Sequence, residues 1–139
     1  MSDNHIRGIS TTLALLDKAL CEFDRWANGH EIRSVLYQVE NPLSLGRRRL
    51  IVGEVAAMKY MLEEMRETLN LELTVRSADR MITSSCSVLW ASLLELESRH
   101  LRRYGELPPG LAEYLDPKIA PLNKGLRRIR TAAAGSQPP

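Results

Sequence analysis

From position 54 to position 104 the chain carries neither glycine nor proline, a run of more than fifty residues with no residue that obliges a helix to stop. Its apolar residues start as Ile51, Val55, Met58, Leu62, Met65 and Leu69, in steps of four and three that mark one face of a helix. A single rod would continue that seam at positions 72, 76, 79 and 83, where Glu72, Arg76, Asp79 and Thr83 stand. The stripe instead slips by one residue and resumes as Leu71, Val75, Ala78, Ile82, Ser85, Leu89, Leu93 and Leu96. One residue is about 100° of helix rotation, so an unbroken rod would turn its apolar face away from its partner. A turn over 70–73, with Thr74 capping the next helix, removes the conflict. The sequence thus predicts two helices running antiparallel.

A third long helix precedes them. Ile6, Ile9, Leu13, Leu16, Leu20 and Phe23 repeat at helical spacing, with Asp3 or Asn4 as cap and Asn28-Gly29 as stop. Ile32, Val35, Leu36 and Val39 give a short helix over 30–40, closed by Asn41-Pro42, and Ser44 caps the helix that carries the Ile51 seam. After Pro108-Pro109-Gly110, a looser stripe of Leu111, Leu115, Ile119, Leu122 and Leu126 is interrupted by Pro117 and Pro121. The expected fold is all-α: an antiparallel bundle of three long helices, plus a short helix and a Pro-broken C-terminal helix. One domain over 1–130 and a flexible tail over 131–139 complete it.

Composition agrees with this. One Phe, two Trp and four Tyr leave a core of aliphatic residues and methionine, and 44% apolar with 26% charged residues is ordinary globular usage. Cys21 and Cys86 lack the spacing of a disulfide framework or a zinc ribbon and read as reduced thiols. No apolar run nears the roughly 18 residues of a membrane span, and the first residues lack a basic flank and apolar stretch, so a cytoplasmic chain without a membrane partner is expected. Leu50, Met61, Met81, Val88, Trp90 and Leu94 lie off the main seams, which points to a homo-oligomer, a dimer in its simplest form, that covers them.

Candidate sites are fragments of motifs. Arg47, Arg48 and Arg49 fall in the first turns of a helix, where cations oppose the dipole unless an anion or neighbouring acids such as Glu95, Glu97 or Glu106 meet them. Glu97 and His100 have the E-x-x-H spacing of carboxylate-bridged metal bundles, but no second copy exists in the chain to complete such a site, and neither metal nor cofactor is expected. Gly-rich phosphate loops, nucleophile elbows and EF-hand loops do not occur. A basic segment of Lys118, Lys124, Arg127, Arg128 and Arg130 offers phosphate contacts without interleaved aromatic residues.

Two stretches resemble known families. Arg25 and His30 match the R-x-x-x-x-H spacing of RNA-cleaving helical HEPN domains, with Trp26 where that family has a small polar residue. Arg48, Val55 and Lys59 resemble the substrate-facing positions of the helical chorismate mutase family, which implies a helical dimer with a basic pocket for a dicarboxylate. Pro42 interrupts the helix that precedes the motif there, and Thr68 and Leu71 stand where further polar residues are expected. The expected role is a noncatalytic, self-associating interaction or adaptor bundle, with two alternatives. One is an anion-binding bundle around Arg47, Arg48, Arg49 and Lys59; the other is a nucleic-acid binder that adds the basic C-terminal segment.

Overall fold

A computed structural model describes residues 1–135, and among them the chain is all-α except for one short ribbon. In order these elements are α1 (Asp3–Ala27), β1 (Ile32–Arg33), β2 (Gln38–Val39), α2 (Leu45–Leu69), α3 (Ala78–Leu94), α4 (Ser98–Leu101), a 3-10 turn (Arg102–Tyr104) and α5 (Leu111–Ala133). Contacts sort them into two compact units, Met1–Thr74 and a second that begins at Val75. The sequence predicts one bundle over 1–130; α1 has its packing partner in α2, and α3 has its partner in α5.

In the first unit, Ser2 rather than Asp3 or Asn4 caps α1. Its hydroxyl accepts from the His5 backbone N–H at 3.2 Å, and the His5 ring returns to Ser2, closing a capping box. The helix stops as expected at Asn28-Gly29, where Gly29 adopts φ +88°. α1 and α2 run antiparallel, because Gly29 meets Arg48 while Cys21, two turns earlier, meets Lys59. Their seam follows the expected one, with Leu20 and Val55 buried and Ile6, Ile9, Leu13, Leu16, Ile51, Met58 and Leu62 half-buried. Phe23 leaves it. The small Ala27 takes the buried place near the end of α1, and Phe23 is exposed.

The short helix expected over 30–40 is absent; that stretch forms an antiparallel hairpin pairing Ile32 with Val39 and Arg33 with Gln38. Eleven residues between two breaks cannot offset the cost of helix nucleation, whereas β-branched Ile32 and Val39 pack as a half-buried cross-strand pair. The Ser34 N–H donates to the Tyr37 carbonyl at 2.9 Å and shapes the tip. Asn41 ties the ribbon to α1: its amide donates to the carbonyls of Trp26 at 2.6 Å and His30 at 2.9 Å, the first of which also accepts from the Gly29 N–H at 3.0 Å.

α2 begins at the expected cap, Ser44, whose hydroxyl accepts from the Arg47 N–H at 3.3 Å. It ends at Asn70 in the left-handed region, so the predicted turn is real. Thr74 does not cap the next helix, because an extended stretch runs on to Ser77.

In the second unit α3 and α5 also run antiparallel, with the Ser98 end of α3–α4 against Asp116. The stripe of α3 that turns inward holds Thr83, Cys86, Leu93 and Leu94, about one residue round from the predicted seam; Ile82 and Leu89 are exposed. α5 is one helix despite Pro117 and Pro121. The expected break takes the form of two missing hydrogen bonds, which would otherwise end on the carbonyls of residues 113 and 117. Residues 113, 117 and 121 are exposed, while Leu115, Ile119 and Leu126 keep the helix packed. Of the tail expected over 131–139, residues 131–133 finish α5 and 136–139 lie outside the described residues.

Candidate functional site

The three arginines open α2, whose first turn contains no acidic residue, so the conflict with the helix dipole stands. They do not act as a cluster. Arg48 is half-buried, its Nε donates to the Leu43 carbonyl at 2.9 Å, and its guanidinium lies so close to Gly29 that a Cβ there would sit 2.7 Å from Nη1. It fastens the chain entering α2 to the end of α1. Arg47 and Arg49 are exposed, and among the described residues none of the three forms an ion pair. Two acids weighed as partners are engaged elsewhere, Glu95 with Arg103 and Glu97 with Arg99.

Lys59 lies on the α1-facing side of α2, where its Nζ donates to Cys21 Sγ at 3.2 Å. That hydrogen bond, helped by the nearby carboxylates of Asp17 and Asp24, raises the ammonium pKa above its ordinary value. Val55, between Arg48 and Lys59, is buried in the α1–α2 seam. The three residues of the mutase-like pattern therefore have separate surroundings: a backbone carbonyl, the core and a thiol.

Glu97 and His100 do not share a face of α3, which ends at Leu94; Glu97 is the extended residue that precedes the single turn of α4, and His100 lies within that turn. Among the described residues no group of three or more His, Cys, Asp and Glu side chains is placed to hold a metal ion. The strong contact here belongs to Asp116, which accepts from the Ser98 N–H at 2.9 Å and the Ser98 hydroxyl at 2.7 Å. These bonds lower its carboxyl pKa below the usual value, the backbone donor most of all. Arg25 and His30 flank the end of α1, where the His30 N–H donates to the Arg25 carbonyl at 3.2 Å and both side chains are exposed. The five cations of the basic segment all lie on α5, and Lys118 sits 5.5 Å from the Tyr114 ring centre.

What the structure does gather is apolar surface. On α3, Met81, Ile82, Val88 and Leu89 are exposed, Val88 at 67%. They repeat at a spacing of seven, which keeps them on one side of the helix. Ser87 and Ser92 return their hydroxyls to carbonyls of their own helix, so these polar side chains ask little of any covering surface.

The chain matches no known family, no curated protein and no solved structure. No helix among the described residues is long and apolar enough to cross a membrane.

Sequence reasoning missed three residues. Asn123 is 9% exposed and occupies the core position of α5 assigned to Leu122, which is exposed. The signal was present, since Ile119, Asn123 and Leu126 also keep steps of four and three, but an asparagine does not announce itself as core. The exposed hairpin tip of Val35 and Leu36 was hidden by the helical reading of that segment.

Proposed function

We propose that this chain is a noncatalytic helical interaction module that self-associates, with the exposed face of α3 as its contact surface. The observation that carries this reading is the row of Met81, Ile82, Val88 and Leu89, left in solvent on a helix whose opposite side already packs against α5. Burying a side chain of this size is worth roughly 1.5–3 kcal/mol, so leaving four of them bare is costly. A second copy presents the same patch and covers both at once in a two-fold contact.

The thin core of each unit supports the same reading. Among the described residues the buried hydrophobic side chains are Leu20, Ala27 and Val55 in the first unit and Cys86 and Ile119 in the second. Two packed helices of this length seldom supply enough core to stand alone without a staple or association. Of the six off-seam residues that the sequence assigned to an oligomer contact, Leu50, Met61, Met81, Val88 and Trp90 are exposed, and Leu94 is half-buried.

Sedimentation at micromolar concentration tests the proposal. A dimer or larger species is expected, and Val88→Glu with Leu89→Glu converts it to monomer. A strictly monomeric wild-type profile rejects the reading.

A further inference from the structure

The two most exposed large hydrophobic side chains among the described residues are neighbours. Val35 at 93% and Leu36 at 99% form the tip of the β1–β2 hairpin, and Tyr37 beside them is exposed as well. Backbone bonds hold the tip in place, since the Ser34 N–H donates to the Tyr37 carbonyl and Ile32 pairs with Val39 below it. Side chains this bare project from a narrow turn, where a flat protein face would touch only part of them. A fluid lipid surface closes around a projecting tip without needing a matching pocket, and a tyrosine ring favours the depth of the headgroups.

The charge beside the tip has the complementary sign. The end of α1, the hairpin and the start of α2 are tied together by Asn41, which donates to the Trp26 and His30 carbonyls, and by Arg48, which reaches Gly29. Residues 25–49 of this region hold five arginines against two glutamates. Both glutamates are engaged, Glu31 with Arg33 at 3.5 Å and Glu40 with the Gln38 amide at 3.1 Å, and Asp24, just before the region, lies beside Lys59. Arg25, Arg47 and Arg49 are exposed and form no ion pair among the described residues. At the start of α2 no acidic side chain relieves the opposition between cations and helix dipole, so an anion from outside the chain is what would relieve it.

We infer that this end of the first unit docks on an anionic lipid bilayer: Val35, Leu36 and Tyr37 enter the headgroup layer, and Arg25, Arg47 and Arg49 meet the acidic headgroups. The expectation of no membrane partner rested on the lack of a spanning run, which a surface contact does not need. The inference is independent of self-association, because its residues are not those of the exposed α3 row.

Sedimentation of the full-length chain with vesicles tests it. Binding is expected to phosphatidylcholine vesicles that contain phosphatidylserine, with affinity falling about tenfold or more on pure phosphatidylcholine and again when salt is raised. Arg47→Gln with Arg49→Gln should cost about tenfold or more on the anionic vesicles. Val35→Ser with Leu36→Ser should cost about fivefold or more and leave the melting temperature unchanged, since both side chains are bare in the folded chain. On anionic bicelles carrying a spin-labelled lipid, the amide signals of residues 34–37 should be the most strongly broadened. Absence of co-sedimentation at millimolar anionic lipid and low salt, or undiminished binding by the serine variant, would overturn the inference. So would broadening centred on the basic segment of α5, or a lipid-free oligomer that the serine variant dissociates, which would assign the tip to a second copy of the chain.

Discussion

Two constraints meet at Gly29. Its φ of +88° is a conformation that costs an L side chain roughly 1–2 kcal/mol, and the missing Cβ leaves room for the Arg48 guanidinium. Gly29→Ala is therefore expected to destabilise the chain by about 1–2 kcal/mol in urea unfolding, by backbone strain and by pushing Arg48 from the Leu43 carbonyl. The glycine was legible as a helix stop. The role of Arg48 was not, because a sequence shows that three cations oppose a helix dipole but not that one of them turns back to a loop carbonyl. Asn123 has the same character: its spacing fits the seam, yet only packing shows that its oxygen was buried without a partner.

Among the elements, α5 tests how much a proline costs on a solvent face. Pro121→Ala restores one backbone hydrogen bond in a helix already continuous through that position. It should stabilise the chain, by up to about 3 kcal/mol and less if the present helix has relaxed around the ring, as measured by thermal unfolding. The junction of α4 with α5 carries a pH dependence of definite sign. Asp116 has a folded pKa below its ordinary value of 3.8, so its bonds to Ser98 are in place above that value and are lost as pH falls through the lower, folded one. The Ser98 amide resonance should titrate with a midpoint below 3.8, and Asp116→Asn should abolish that transition. Element type followed the sequence wherever a long seam existed, as in α1 and α2. It failed over 30–40, where the spacing of Ile32, Val35, Leu36 and Val39 fits a helix and β-branching fits a strand, and only the pairing of Ile32 with Val39 decides between them.

At the scale of the whole molecule, a chain that hides so few side chains within its units should gain stability from its own concentration. The thermal midpoint is expected to rise over a hundredfold increase in protein concentration, and Leu89→Glu should flatten that dependence, as differential scanning calorimetry would show. The sequence alone determined that the chain is helical, where α1 and α2 lie, and that the rod after Gly53 must break near Asn70, because periodicity and caps are local properties written in neighbouring residues. It did not determine which side of α3 turns inward. With Met81, Ile82, Val88, Leu89, Trp90, Leu93 and Leu94 spread around it, that helix offers more than one apolar face. The close approach of α5 selected the side bearing the small Cys86, and so left Met81, Ile82, Val88 and Leu89 in solvent. Tertiary packing made that choice because burial depends on the shape of the partner helix, which no single segment encodes.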